Sequence, residues 1–361
     1  MSGLETGARE ATVSDVARVA RVSKATAARA LGDYGAVSDA VRDRVHKAAE
    51  QLGYRPNQLA RSMTTRRSQT IGIVLGDIEN PYFAAATRGA ADVAAAAGYD
   101  VILSNSDERP EVEAKAIAVL LAKRVDGMLV APASSLAPGN LRPVIEARRP
   151  LVLFDRTVVG IEADAVVTGN RAAAQQLTEL LLDVGHRRIA FITTLPHDGP
   201  FRRADELSMS AVAERVDGFL GALTAAGIAQ PASFVHLNAP RAGVDTLVAG
   251  LLQSDNAPTA IIASDSLIAL AAFRAAQRLG QSIPDQLSLV SFDDADWMSV
   301  TMPGITVMEQ PIHRVGAEGA RILLRRLAGD PSPAATVVFA QRLIERGSVA
   351  APAHVATSVR A

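Results

Sequence analysis

Between Thr12 and Gly53 apolar residues recur at helical spacing. Val13, Val16, Ala17 and Ala20 share one face of a first helix, and Val41, Val45, Ala48, Ala49 and Leu52 form the stripe of a third. Thr12-Val13-Ser14-Asp15 has capping-box spacing, with a hydroxyl for a first-turn amide and a carboxylate to return the bond. Ser23 is placed to cap a second helix running through Leu31, and Ser38 a third that ends at Gly53. The turn between the first two helices is short enough to demand a tight corner. Three short helices with that corner make a helix-turn-helix layout.

The pattern then breaks. Pro56 cannot continue a helix, but Asn57 can cap a short one over residues 58–63. So short a helix is unstable alone in water and needs a partner, either DNA or another subunit. Thr64 to Ser68 reads as a polar, basic linker.

From Thr70 short apolar runs alternate with Ala-rich helical segments. Strands are expected at Thr70–Leu75, Val101–Ser104, Gly127–Ala131, Leu151–Phe154, Ile189–Thr193, Phe234–Leu237, Ala260–Ala263 and Leu287–Phe292. Helices are expected at Ala84–Ala97, Glu111–Lys123, Arg171–Val184, Ala211–Ala226 and Ser266–Leu279. Such alternation implies parallel sheets covered by helices, and about ten units exceed one comfortable sheet. Two doubly wound α/β lobes are expected, with ligands outside the carboxyl ends of the strands. The expected divisions are a flexible leader at 1–11, an all-α headpiece at 12–56, a hinge helix and linker at 57–69, a two-lobed ligand-binding and dimerisation domain at 70–346, and a flexible tail at 347–361.

Composition narrows the chemistry. With no Cys, disulfide scaffolds, thiol catalysis and Cys-ligated zinc are excluded. The six His residues show no metal-ligand spacing, and no metal or cofactor is expected. Met1 to Glu10 holds no apolar run, so no secretory signal is expected, and no stretch approaches the roughly 20 apolar residues of a membrane helix. These features suggest a cytoplasmic protein. The net charge of -1 hides an asymmetry. Residues 1–68 carry 12 Lys and Arg against 7 Asp and Glu, whereas the remainder carries 25 against 31. A basic segment on an acidic body is the footprint of a nucleic-acid-binding module, although a solvated face gives the same count.

Three blocks in order resemble one family. The first is Thr-Val-Ser-Asp-Val-Ala (12–17), Val-Ser-Lys-Ala-Thr (22–26), Arg29-Ala30-Leu31, Leu-Gly-Tyr-Arg-Pro-Asn (52–57) and Ala-Arg-Ser-Met (60–63). The second is Ile-Gly-Ile-Val (71–74), Asn-Pro-Tyr-Phe (80–83), Gly98-Tyr99, Asn105-Ser106-Asp107 and Arg-Val-Asp-Gly (124–127). The third is Gly-His-Arg-Arg-Ile-Ala-Phe-Ile (185–192), Arg215, Gly218-Phe219, Ser264-Asp265, Ile283-Pro284, Phe292-Asp293-Asp294, Thr306 and Gln310-Pro311. Together they resemble the lactose-repressor (LacI) family of transcriptional regulators, in which a helix-turn-helix headpiece joins a sensor similar to a periplasmic sugar-binding protein.

The resemblance implies that the second helix lies in the major groove of a double-stranded operator, with Lys24, Ala25 and Arg29 towards base edges. Lys or Arg offers donors to guanine, and Ala25 only an apolar contact. Thr26 and Ser14 would bond phosphates. In the hinge the implied DNA-contacting residues are Asn57, Leu59, Ala60, Arg61 and Met63, with Met63 as the apolar wedge between base pairs. Three positions depart from the family pattern: Arg21 stands where the corner usually has Gly, Ala28 replaces a common Ser, and Gly169 replaces a common Asp.

Matched positions place Tyr82, Phe83, Asp107, Asp155, Arg156, Arg215, Asp265, Asp293 and Gln310 around a cleft between the lobes. Carboxylates, Arg and an aromatic wall suit a polyol, and a purine can use the same groups. The expected function is a ligand-responsive repressor that binds a palindromic operator as a homodimer, with a sugar-like effector as inducer or corepressor. A purine-responsive regulator is the alternative. A sugar-transport protein is disfavoured by the headpiece. An enzyme is disfavoured by the lack of a P-loop, a Gly-x-Ser-x-Gly elbow or a dinucleotide fingerprint. Pro196 to Ser210 is longer and more charged than the family pattern and reads as either a lid or a disordered insertion. The tail has no leucine heptad, so a dimer is expected rather than a coiled-coil tetramer.

Overall fold

The computed structural model describes residues 11–32, 35–54, 67–199, 201–237 and 243–353. The chain parts into two compact units at Gln69 and Thr70. The expected hinge helix, including Asn57, Leu59, Ala60, Arg61 and Met63, lies outside the described residues.

The first unit holds α1 (Val13–Ala20), α2 (Lys24–Gly32) and α3 (Asp39–Gln51). Val16, Ala17, Ala20, Ala27, Ala30, Val45, Ala48 and Ala49 form its core. Thr12 and Asp15 make the reciprocal capping box, and the Thr26 amide donates to Ser23 Oγ at 3.0 Å. Ser38 occupies the N-cap of α3 but makes no side-chain cap bond, contrary to expectation. Arg21 turns the corner in the left-handed region, with φ 54° and ψ 48°, and its amide closes onto Ala17 and Arg18.

The second unit contains two six-stranded sheets. In lobe 1, β1 (Thr70–Leu75), β2 (Asp100–Asn105), β3 (Gly127–Val130), β4 (Leu151–Phe154) and β5 (Asp164–Thr168) are parallel. Helices α4 (Pro81–Ala96), α5 (Pro110–Ala122) and α6 (Arg142–Glu146) alternate with them. The chain then enters lobe 2 with α7 (Asn170–Asp183), β6 (Ile189–Ile192), α8 (Ser210–Ala225), β7 (Val235–His236), α9 (Val244–Leu252), β8 (Ala260–Ala263), α10 (Ser266–Arg278), β9 (Ser288–Phe292), α11 (Asp296–Val300) and β10 (Thr306–Glu309). Next α12 (Ile312–Leu327) returns to lobe 1 and leads to β11 (Thr336–Phe339), and β12 (Arg342–Ile344) closes lobe 2. The orders β11-β5-β4-β3-β1-β2 and β12-β10-β9-β8-β6-β7 repeat one winding; β12 alone runs antiparallel to its neighbour. The chain therefore crosses between lobes three times: at 168–170, at 309–312 and at 339–342.

Apolar layers cover both faces of each sheet. In lobe 1, α4 and α12 pack on one side with Ile71, Ile73, Leu129, Val315 and Leu323, while Ile117, Leu120 and Val144 fill the other. Gly316 lets α4 and α12 meet closely, because a Cβ there would fall deep inside contact distance of the Ala86 carbonyl oxygen. In lobe 2, Leu177, Phe191, Phe219 and Phe292 form one layer, and Ile261, Ile268, Ala272 and Leu289 contribute to the second.

The flexible tail expected from residue 347 does not begin there. Ser348 is fully buried. Its carbonyl accepts from Leu289 N at 3.0 Å, and its hydroxyl reaches Leu289 O at 2.6 Å. The buried His186 ring meets Thr259 Oγ1 at 2.8 Å and Ala350 O at 3.0 Å. Burial pushes the His186 pKa down, opposed by its bond to Ala350. Backbone groups of Ser348 and Ala350 are thus paired inside lobe 2 instead of solvated, which unpatterned sequence could not show. No helix among the described residues is long and apolar enough to cross a membrane.

Candidate functional site

The headpiece presents a polar face. Lys24, Ala25 and Arg29 on α2 are exposed, as is Ser14 on α1, while Ala27 and Ala30 turn inward. Arg29 Nε donates back to Ala25 O at 3.3 Å, which lays the guanidinium along the helix. Thr26 is half-buried, and its hydroxyl is 2.8 Å from Ser23 Oγ. The arrangement offers cationic donors beside a small apolar position on one exposed helix.

A cleft of the second unit lies where the carboxyl ends of both sheets meet. It encloses about 520 Å³ including its open mouth. Lobe 1 contributes Asn80, Tyr82, Phe83, Glu108, Asp155 and Arg156. Lobe 2 contributes Thr193, Thr194, Arg215, Ser264, Asp265 and Asp293, with Leu195, Met209, Ala211 and Val212 as apolar cover. Asn80 caps α4 through the Tyr82 amide and aims the aromatic pair. Tyr82 and Phe83 meet edge to face at 5.2 Å.

Both guanidiniums are held by the protein. Arg156 donates to Glu108 Oε1 at 2.7 Å and Pro132 O at 3.0 Å, with its Nε 3.0 Å from Asp155 Oδ2. Burial opposes its charge, but Glu108 and Asp155 outweigh it and raise the pKa. Arg215 donates to Asn170 Oδ1 at 2.8 Å and Ser264 O at 2.6 Å, and lies 4.2 Å over the Phe292 ring. That cation–π contact fixes the plane of the fork.

The carboxylates differ in freedom. Asp265 is the N-cap of α10 and accepts from Leu267 and Ile268 amides at 2.9 Å with one oxygen, Oδ1. It therefore caps a helix and lines the cleft at once. Burial pushes its pKa up, partly offset by those amides. Asp293 accepts from Gln310 Nε2 at 2.6 Å. Burial drives its pKa up to about 6 against the pull of Arg215 and Gln310. The Tyr82 hydroxyl is buried without a hydrogen-bond partner among the described residues. Burial and the nearby Asp155 and Asp293 raise its pKa well above the usual value, so it is neutral and able to donate.

Of the residues expected at the cleft, Tyr82, Phe83, Asp155, Arg156, Arg215, Asp265 and Asp293 line it. Asp107 does not. It is exposed and accepts from Asn105 Nδ2, while its neighbour Glu108 turns inward. Gln310 also stands outside the lining, behind Asp293. Arg215 projects from the second turn of α8 instead of heading it. Sequence reasoning missed Glu108, one residue from the position inspected, and Met209, which sits in the long segment.

That segment is neither free nor structureless in its described part. Ala204, Leu207 and Met209 are buried in the lobe 2 core. Its end bridges to lobe 1: Ser135 N donates to Ser208 O at 2.6 Å, Ser210 N to Ser135 Oγ at 2.9 Å, and Thr157 N to Ser210 Oγ at 3.0 Å. Apolar anchoring on one lobe leaves polar backbone to clasp the other.

Comparison with known proteins matches residues 12–57 to the bacterial regulatory proteins of the lacI family and residues 178–349 to a periplasmic binding protein-like domain. The HTH-type transcriptional regulator PtxS of Pseudomonas aeruginosa is 33% identical over 341 residues, covering 93% of this chain and 95% of the relative. The ribose operon repressor of Halalkalibacterium halodurans is 33% identical over 323 residues, covering 89% and 91% respectively. The solved complex of the transcriptional regulator CelR with cellobiose is similar with a TM-score of 0.67 at 27% identity, covering 94% of this chain and 100% of that one. The lac repressor dimer bound to operator and an anti-inducer gives 0.79 at 22% identity over 95% of this chain and 100% of that one, a likeness of fold alone. By these matches the chain belongs to the lacI family of bacterial regulatory proteins, and it is a DNA-binding transcriptional regulator and not an enzyme.

Proposed function

We propose that this regulator is a cytoplasmic repressor that binds a palindromic operator as a homodimer and responds to a neutral sugar in the cleft. One observation carries the ligand class. Four carboxylates, Glu108, Asp155, Asp265 and Asp293, face two guanidiniums that the protein already engages. A sugar acid or phosphate would bring further negative charge to carboxylates without a free counter-charge. A neutral polyol donates its hydroxyl protons to those carboxylates and accepts from the remaining guanidinium and hydroxyl hydrogens. Apolar cover from Leu195, Met209 and Phe83 suits a sugar face. The relatives named for ribose and solved with cellobiose support the same reading. On the DNA side, Lys24, Ala25 and Arg29 would reach base edges and Ser14 and Thr26 phosphates, with Asn57, Leu59, Ala60, Arg61 and Met63 serving the hinge.

A thermal-shift screen of the full chain tests this. Neutral pentoses, hexoses and disaccharides should raise the melting temperature, by an amount equivalent to roughly 2.7 kcal/mol at a hundredfold excess over Kd. Aldonates, sugar phosphates and purines should not. The Arg215→Ala variant should lose the shift. A shift with an acidic sugar or a purine alone would overturn the neutral-sugar assignment. Repeating binding to a selected operator with the active sugar present then gives the sign of the response.

A further inference from the structure

Each of the three crossings between lobes contributes a polar side chain to one hydrogen-bonded chain. Thr168 lies at the first crossing, Gln310 at the second and Gln341 at the third. Thr168 Oγ1 donates to Gln310 Oε1 at 2.6 Å and accepts from Gln341 Nε2 at 3.0 Å. Gln341 Nε2 also approaches Asn170 Oδ1, at 3.2 Å. Both ends of the chain then enter the cleft. Gln310 Nε2 donates to Asp293 Oδ1 at 2.6 Å, and Arg215 Nε donates to Asn170 Oδ1 at 2.8 Å.

The sense of every bond is set from the cleft inwards. An ionised Asp293 only accepts, so Gln310 must turn its amide nitrogen there and its oxygen to Thr168. The single Thr168 proton is thereby spent, and this hydroxyl can only accept from Gln341. From the other end Arg215 only donates, which commits Asn170 Oδ1 to accepting. Gln341 must therefore donate on both sides. Its own oxygen is buried with no hydrogen-bond partner, so these two acceptors are what orient its amide.

We propose that Gln341 is a positioning residue: without lining the cleft, it sets the resting angle between the lobes and holds Arg215 and Asp293 in place for the ligand. A ligand that changes what Arg215 or Asp293 offers changes the bonds at the crossings directly, so cleft occupancy and lobe angle are read by one chain of groups. The inference rests on the cleft being the ligand site, but its test uses no ligand.

The chain contains no Cys, so spin labels at Lys115→Cys on α5 and Thr224→Cys on α8, both exposed, report the distance between lobes of one protomer when labelled chains are mixed with an excess of the Cys-free chain. That distribution is measured by electron–electron double resonance in the full chain without added sugar. Gln341→Met and Thr168→Val should each broaden it and shift its mean by more than the wild-type width. Thr168→Ser, which restores the hydroxyl, should keep the wild-type distribution. Wild-type distributions in both Gln341→Met and Thr168→Val, whatever their melting temperatures, would overturn the proposal and leave these groups a merely structural role. A failed sugar screen beside a shifted distribution would overturn the ligand class and leave the positioning role standing.

Discussion

Asp155 and Asp293 hold the same place in the two lobes. Each follows a Phe at the end of the equivalent strand, and each donates its amide to the neighbouring strand, at 3.0 Å to Val166 O and 3.1 Å to Met308 O. Each adopts left-handed backbone, with φ 66° and 65°. Strain of order 1 kcal/mol at such positions is common where a side chain is aimed at a ligand, and Asp tolerates the region better than most residues. The partners differ. Asp155 faces Arg156, whereas Asp293 faces Gln310 and has its pKa pushed up to about 6.

The raised pKa of Asp293 gives a pH signature. From an ordinary value of 3.8, burial takes the folded pKa to about 6, so the folded state holds the extra proton between these values. Stability from this group is greatest below pH 4 and falls as pH rises through 6. Asp293→Asn should melt above wild type at pH 7.5, with the gap closing towards pH 4. Thermal melts over that range check this; a gap constant with pH would count against it.

The clasp at Ser135 should govern how long the cleft holds its ligand. Ser135→Ala removes the acceptor for Ser210 N, a net loss of about 1 kcal/mol, or roughly fivefold. Stopped-flow release of the sugar that scores in the thermal screen should accelerate by about that factor, with association little changed. Equal release rates would remove the clasp from the binding cycle.

The corner of the headpiece should tolerate improvement. Left-handed backbone at Arg21 costs a side chain roughly 1–2 kcal/mol, which glycine avoids at some entropic cost. Arg21→Gly should slow amide exchange at the core residues Val16 and Ala20 by a few-fold in the full chain. Faster exchange would mean that Arg21 makes compensating contacts.

Gly316 tests the helix pair of lobe 1. A methyl group there would overlap the Ala86 carbonyl, and overpacking of this kind costs ~1–3 kcal/mol or more. Gly316→Ala should lower the sensor's melting temperature by several degrees, although Ala favours a helix. An unchanged melt would show that α4 and α12 separate easily.

The strands most legible in the sequence were those buried on both faces. Thr70–Leu75, Leu151–Phe154 and Ala260–Ala263 are continuous apolar runs, and their observed limits coincide with the expected ones. Missed elements lack that contrast. Thr336–Phe339 is a half-exposed strand at the edge of the sheet, and Ile312–Leu327 builds its buried face partly from Gly and Ala and interleaves it with Arg and Glu. Polar residues at strand ends gave most of the cleft lining. Thr168, Asn170 and Gln341 stayed hidden, because their meeting depends on three crossings far apart in sequence, and periodicity carries no trace of such a junction.

The return of α12 to lobe 1 has a consequence for synthesis. Lobe 2 takes most of its core from residues 170–310 and only β12 and the pairing at Ser348 and Ala350 from the end of the chain, whereas lobe 1 needs residues 312–339 for part of one core layer and its edge strand. During translation, regions that are complete in sequence fold first as they leave the ribosome. Here the first sheet to be made waits for α12, the last helix among the described residues. Until Val315 and Leu323 arrive, α4 alone covers this face of the sheet and leaves Leu129 and Val152 on β3 and β4 partly open, so a nascent chain that lacks residues 312–327 is the stage at which a chaperone has most to hold.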